Sequence, residues 1–474
     1  MATQRSLRAQ HPDEGCPDNG RLIPVKACSR ACHSPCANPL AALGLLLLVM
    51  LHGGCATAPP LTDLTRQVLT NASPSLPIPS GSESFQLPPG IGGLDHLTED
   101  QAVAIALWNN AAFQESLATL GFQRADLLLA GQLGNPSLVT LFPAGPKQFQ
   151  FTALLPVEAF WLRPRRLAIA RIDLESASEQ LVAAGLDLIR NVRLACAELE
   201  LAEDRVKAAA RSTEPQERLA DLTNKRFQAG DIGGLESAQA TATAAQARQA
   251  LERLRRDESL ARDRLRQFLG LPPGGMAFSL HRSALPTNSL PEETELFRLA
   301  LAARPELRAN ELAIQAAQKR GMLSSAEALL VGAALDIKDT PTGTQTGPGL
   351  NVTLPVLNQN QGGKARAEAA TNQLIRRHLT LRDRIQLEVR EAVTRREQAF
   401  REWNRMHSAI LPALSSAVSH ARRAHEAGDA SPALFLEAER RLADAEIQLA
   451  EAVADIRRSE ADLARAVGRR FENP

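Results

Sequence analysis

Arg226–Phe227–Gln228–Ala229–Gly230–Asp231 (RFQAGD) ends a long run that is almost free of glycine, and Arg423–Ala424–His425–Glu426–Ala427–Gly428–Asp429 (RAHEAGD) ends another. Glycine accepts positive φ without steric penalty, so Gly-Asp after such a run reads as the stop of one helix and the turn into the next. The likeness of the two stretches extends outward in both directions. Phe268–Leu269–Gly270 and Ala466–Val467–Gly468 each close the helix after the turn, and Pro215 and Pro412 stand at matching places before it. Further upstream, residues 149–157 (FQFTALLPV) match residues 350–357 (LNVTLPVL), two β-like runs that end in Leu-Pro-Val. The separations lie at about 197–199 positions, so one unit is written twice. Residues 110–113 (NAAF) and 304–307 (RPEL) pair at a slightly shorter separation, and the difference falls on a longer loop expected at 341–348.

Each copy reads as a helix, two short strands, a very long helix and a second long helix. In the first copy these are residues 98–131, strands near 137–142 and 148–157, then 165–229 and 235–269. In the second they are 292–330, strands near 331–338 and 349–357, then 363–427 and 433–467. Pro215 and Pro412 are expected to kink or divide the longest helices. Ile189, Val192, Cys196, Leu199, Ala202 and Val206 recur at spacings of three and four, as do several of Val389, Val393, Phe400, Trp403 and Ile410, which is a coiled-coil seam. Cys196 is then a core residue rather than a nucleophile. A helix of about 65 residues is on the order of 100 Å long, the scale of a conduit and not of a small enzyme. The fold class is mainly α with a small β part, built from duplicated coiled-coil hairpins and two β-hairpins.

The strands are near the length that a tilted membrane strand needs. They alternate in part, with Phe149, Phe151 and Ala153 pointing one way and Gln148, Gln150 and Thr152 the other. Four strands cannot close a barrel, and open sheet edges cannot face lipid. Three chains would supply about twelve strands to one ring, so a homotrimer is expected. Aromatic residues that could form an interfacial girdle are limited to Phe142, Phe149, Phe151, Phe160 and Trp161.

Composition agrees with long helices packed through small side chains. Aromatic residues are 4% of the chain and Tyr is absent. With 54 basic and 53 acidic residues there is no global field to draw in nucleic acid. Five of six cysteines (Cys16, Cys28, Cys32, Cys36, Cys55) fall in the first 55 residues, which excludes a disulfide framework for the body. Lys26 and Arg30 precede an apolar run over 39–51, about 13 residues, the size of a signal-peptide core and short for a membrane span. Cys28, Cys32, His33 and Cys36 could be drawn as a zinc site, but they precede that export core and would be cut away with it. The run ends in His52–Gly53–Gly54–Cys55, which resembles a lipobox; cleavage near Ala56 or Ala58 is the alternative. Residues 1–24 are long and polar for a leader, as though the start lay further upstream than the working one. The expected organisation is 1–54 export segment, 55–97 Pro-rich tether, 98–270 first repeat, 271–291 linker, 292–468 second repeat and 469–474 tail.

The duplicated helix–hairpin–helix-pair plan resembles the TolC/OprM outer-membrane efflux factors over residues 98–468. The motifs that carry it are the RFQAGD and HEAGD turns, in which Phe227 and His425 stand where the family has Tyr, and Asn351–Val352–Thr353–Leu354–Pro355–Val356 followed by Gly362–Gly363. Ile410–Leu411–Pro412 resembles the CzcC-like heavy-metal branch. The resemblance implies an outer-membrane channel component of a tripartite efflux or secretion system, anchored by lipid at Cys55 and extending into the periplasm. Its tip turns, Arg226, Gly230, Asp231, Gly428 and Asp429, would dock a periplasmic adaptor that links it to an RND or ABC pump of the inner membrane. Glu236 and Glu437, just past the turns, match the acidic gate positions, and Leu434 stands where some members carry Asp. Ala56 after the Cys implies transfer to the outer membrane. A soluble or periplasmic coiled-coil scaffold or adaptor without a pore is the alternative. No enzyme, cofactor or metal site is expected: the nine His are scattered, 362–365 (GGKA) lacks the rest of a phosphate loop, and no Gly-x-Ser-x-Gly elbow occurs. Cargo is not legible.

Overall fold

Thr98 opens the helical body with a capping box. Its hydroxyl accepts from Gln101 N at 3.3 Å while Gln101 Oε1 accepts from Thr98 N at 3.0 Å. The computed structural model describes residues 85–144, 149–287, 289–340, 342–427, 429 and 431–468. The expected export segment, Cys55, the tether up to residue 84, Gln148, Gly428 and the tail 469–474 lie outside the described residues.

Helix α1 (Glu99–Asn109) stops where Asn110 turns extended, and the Asn110 side chain then caps α2 (Ala111–Gly131) by accepting from Phe113 N at 3.1 Å. The single helix expected over 98–131 is therefore two. The one expected over 292–330 divides in the same way at Arg304, into α5 (Glu293–Ala303) and α6 (Pro305–Ala326). Pro305 suits the first turn of a helix and pushes the residue before it into extended backbone, which ends α5.

The first repeat continues with β1 (Ser137–Leu141), β2 (Gln150–Pro156), α3 (Ala159–Gln228) and α4 (Gly234–Phe268). The second continues with β3 (Leu330–Thr340), β4 (Gly343–Thr353), α7 (Gln361–Arg405), a π-helical turn (Met406–Ile410), α8 (Leu411–Glu426) and α9 (Pro432–Val467). Helix α3 starts earlier than expected and takes in Phe160 and Trp161, so these aromatics sit at the sheet-to-helix junction and not in the hairpin. Pro215 stays inside one 70-residue helix, whereas its counterpart Pro412 opens α8 directly after the π turn. The extra residue of a π turn gives the missing proline N–H a break at which to fall. The second hairpin is longer than expected: residues 343–348, read as loop, are strand, and 354–357 lie past its end.

The four strands form one antiparallel sheet in the order β1-β2-β3-β4, with β2 against β3 joining the two repeats. Beyond it the helices pack side by side in a layer. Helix α3 packs between α4 and α9, and α9 packs against α7; nearer the sheet, α2 and α6 take the places of α4 and α9. Two joints make this stacking. Gly270 (φ +69) ends the α4 side, and a Cβ there would meet Asn109 O at 2.5 Å. Gly468 (φ +81) ends α9, and a Cβ would meet Ala303 O at 3.2 Å. The Asn110 amide donates to Phe268 O at 3.1 Å, and at the equivalent place the buried Arg304 guanidinium donates to Arg465 O at 2.8 Å. Arg304 also pairs with Glu388 and Glu306.

One face of the layer is covered by α1, α5 and the inter-repeat linker. Leu97 bridges Leu280, and Leu97 N donates to Ser279 O at 2.8 Å. Three arginines tie the linker down: Arg262 to Phe278 O at 3.3 Å, Arg457 to Ser283 O at 2.8 Å and Arg396 to Thr287 O at 2.6 Å. Arg396 is 2% exposed and pairs with Glu460 at 2.6 Å. Under the linker side lies the main apolar cluster, in which the seam residues Val192, Cys196 and Leu199 are buried. In the second repeat Val389 and Phe400 are buried, but Ile410 is exposed, because it falls in the π turn and is rotated off the seam.

Candidate functional site: a two-faced sheet and two helical tips

Residues opposite one another across a sheet share a face, so the register sorts every side chain. On one face, Leu138 lies across from Ala153, Ala153 from Leu335 and Leu335 from Pro348. Phe151, Ile337, Leu155, Ala333, Leu350 and Val331 fall on that same face. The other face carries Gln150, Thr152, Asp336, Lys338, Gln345 and Asn351, with Val139, Leu141 and Leu154 among them. There Asp336 accepts from Gln150 Nε2 and Thr152 Oγ1, both at 2.8 Å, and pairs with Lys338 at 3.0 Å. The bonds from Gln150 and Thr152 cross from β2 to β3 and fasten one repeat to the other on this side, while Lys338 lies on β3 itself. The expected alternation of Phe151 and Ala153 against Gln150 and Thr152 is therefore observed.

Aromatic side chains stand at both ends of this sheet. Phe149 packs edge-on against Phe142 at 5.9 Å and Phe151 at 4.5 Å near the β1–β2 turn. Phe160 and Trp161 are exposed at the opposite end, on the first turn of α3. Strands β1 and β4 are the outer strands, exposed along almost their whole lengths.

At the far end of the molecule the two helical hairpins turn. Gly230 adopts φ +83, its N–H donates to Phe227 O at 3.0 Å, and Asp231 N donates to Arg226 O at 2.9 Å. That pair of bonds is a Schellman stop, which satisfies carbonyls the helix end leaves free. The second hairpin repeats the longer bond, Asp429 N to Ala424 O at 2.8 Å. Phe227 folds back over the start of α4, 3.3 Å from where a Cβ on Gly234 would be. His425 stacks on Phe435 at 5.9 Å. Thus the aromatic position of each tip motif ties its own turn to the returning helix.

Glu236 and Glu437 are brought together. Both line one cleft of about 340 Å³ between α3, α4 and α9, along with Arg226, Leu222 and Arg440. Glu437 accepts from Arg441 at 2.9 Å and lies 3.6 Å from Arg440, so its charge is locally offset. Those arginines stand three and four residues on, a helix-pair spacing that is visible in the sequence. The apolar residues Leu222, Leu235 and Leu434 are exposed around the cleft. No helix of the described residues is long and apolar enough to cross a membrane, and among them no group of three or more metal-binding side chains occurs.

Comparison with known proteins follows the same geometry. Residues 103–271 match the model of a family described as outer membrane efflux protein. The cobalt-zinc-cadmium resistance protein CzcC of Cupriavidus metallidurans is 23% identical over 385 residues, 79% of this chain and 90% of its own length. Among solved structures, the outer membrane protein VceC of Vibrio cholerae superposes with a TM-score of 0.65 at 17% identity, over 79% of this chain and 97% of that one. The CmeC outer membrane channel of Campylobacter jejuni does so with 0.65 at 15% identity, over 85% and 95%.

Proposed function

We propose that the chain is an outer membrane efflux protein, as the family model matching residues 103–271 suggests, and that three copies close into a duct through the outer membrane and down into the periplasm. It is read as the channel component of a tripartite efflux or secretion system and not as an enzyme. One observation carries the reading: a four-stranded sheet, apolar over the middle of one face and bearing the Asp336 polar cluster on the other, whose two edge strands are left open. Lipid demands that every backbone group be satisfied, so such a sheet is viable in a bilayer only when its edges meet. Joining β1 of one copy to β4 of the next, three times, gives a closed ring of about twelve strands with the apolar face outward. The same head-to-tail step sets the α2/α4 edge of one copy against α7 of the next. A soluble scaffold would have no use for Leu138, Phe151, Leu335 and Leu350 on a single exposed face.

In this reading the tips built on Arg226, Gly230, Asp231, Gly428 and Asp429 take a periplasmic adaptor, which links the duct to an RND or ABC pump. Glu236 and Glu437 would contribute rings of carboxylates where the tips converge, with Arg440 and Arg441 weakening the second. Cys55 would carry the lipid anchor. The CzcC relative is a cobalt-zinc-cadmium resistance protein, which makes divalent cations the first cargo to test. The whole reading is tested by expressing the full chain in a Gram-negative host. A trimer in the outer-membrane fraction, dissociated by boiling and forming pores in planar bilayers, is expected; a soluble periplasmic monomer or dimer would overturn it.

A further inference from the structure

Helices α3 and α9 run antiparallel, and four of the ion pairs that join them follow one register across the face of the helical layer opposite the linker. They are Asp187–Arg465 at 2.6 Å, Arg190–Asp462 at 2.5 Å, Glu198–Arg458 at 2.8 Å and Arg205–Glu451 at 2.6 Å. On the linker side of the same helices, Asp204 of α3 binds Arg282, Glu460 of α9 binds Arg396, and Arg457 of α9 binds both Glu200 of α3 and the linker carbonyl of Ser283. Helix α7 repeats the division. Arg396 faces the linker, while Arg384, Glu388, Glu391, Arg395, Glu402 and Arg405 follow one stripe at spacings of three and four. That stripe is also paired within itself, Arg384 with Glu388 at 2.8 Å, Arg395 with Glu391 at 2.9 Å, and Arg405 with Glu402. Two open clefts, of about 450 and 920 Å³, lie on this face, and charged residues of these stripes line them.

In a closed ring of such layers one face is inside. Three sets of α1, α5 and linker on the inner face would fill the bore, so the linker side is the outside. Resting on the duct reading, we infer that the α3–α9 zipper and the α7 stripe line the lumen, and that their mutual pairing makes the shaft wall hydrophilic but neutral. Such a wall passes small hydrated solutes of either sign and holds none of them. Each arginine of the zipper, and Arg384, Arg395 and Arg405 of the stripe, has a carboxylate within 4.0 Å, so a passing ion meets dipoles in place of a ring of one sign. Discrimination by charge is then left to the tips.

The test uses the trimer in planar bilayers, with Glu236→Gln and Glu437→Gln as the common background so that tip carboxylates do not dominate. The reversal potential in a salt gradient should give a cation-to-anion permeability ratio near one. Arg190→Gln with Arg205→Gln leaves Glu451 uncompensated and Asp462 with Arg395 alone, 3.9 Å away, three times around the bore, and should raise the ratio about threefold or more. Asp462→Asn with Glu451→Gln should lower it by a similar factor. Opposite shifts support the inference. Pores whose ratio neither pair moves, or a background already strongly selective, overturn it. Absence of any pore from the unsubstituted chain sinks the duct reading instead, and this inference with it.

Discussion

Glu200 shows how one residue couples the repeats. It lies on α3 with its side chain 8% exposed, and it shares the Arg457 guanidinium of α9 with Glu99 of α1, each at 3.1 Å. Burial pushes its pKa up to about 6, Arg457 pulling it down and Glu99 pushing it further up. Because the folded value lies above the unfolded one of 4.5, the native state holds this proton more tightly. The stability that follows is fully present below about pH 4.5 and is lost as pH rises through 6, about 2 kcal/mol in all. Glu200→Gln should therefore flatten the fall in stability between pH 4.5 and 7 by that amount, read from thermal unfolding at the two pH values; an unchanged slope would mean the carboxyl is not the source. Cys196, one turn earlier, is buried, with its thiol pushed up by the same desolvation, as its place in the seam led one to expect. Arg304 was not foreseeable in that way. The sequence pairs it with Asn110, but only the folded joint shows a charged side chain filling a site where the other repeat uses an amide, because the acids that neutralise it come from α6 and α7.

At the scale of the element, the glycines that stop helices differ in what surrounds them. Gly230 has nothing within 4 Å of an added Cβ, so Gly230→Ala pays only the left-handed backbone term, about 1 kcal/mol. Gly270 adds a clash with the backbone of Asn109, and Gly270→Ala should cost about 3 kcal/mol or more. Thermal unfolding of the two variants separates these cases, and equal losses would show that the joint does not press on Gly270. The hairpins and their seam were legible because the duplication repeats them and because periodicity of three and four survives over long helices. The breaks at Asn110 and Arg304 were not, since each is one extended residue in an otherwise helical pattern. Strand β4 was misread for a clearer reason. Residues 343–349 (GTQTGPG) have the makeup of a loop, and they are held extended only by pairing residue for residue with β3. Cross-strand pairing of that kind is a tertiary fact that local preference does not carry. The tip cleft was half legible: Glu236 and Glu437 were marked separately, yet their meeting depends on α9 packing beside α3.

For the whole molecule, the strongest commitment is that the sheet has a lipid side and a water side, and adjacent residues on β3 separate the two. Leu335 is central on that strand and lies on the apolar face, across from Ala153 and Pro348. Ala334, its neighbour, lies on the polar face between Leu154 and Gly349. A lysine at mid-membrane on the lipid side of a barrel costs about 2–4 kcal/mol, whereas one facing the lumen is solvated. Leu335→Lys should thus reduce the amount of trimer recovered from the outer membrane and lower the temperature at which it dissociates, while Ala334→Lys should leave assembly close to normal. The order of the two effects matters more than their size. If the sheet were a soluble cap on a helical rod, both faces would meet water somewhere and neither lysine would be strongly penalised. If the faces were inverted, with the Asp336 cluster toward lipid, Ala334→Lys would be the damaging change. The pair of variants therefore separates three arrangements of one ribbon. It does so with substitutions a single position apart, at which local strand propensity and distance from the edge are nearly the same.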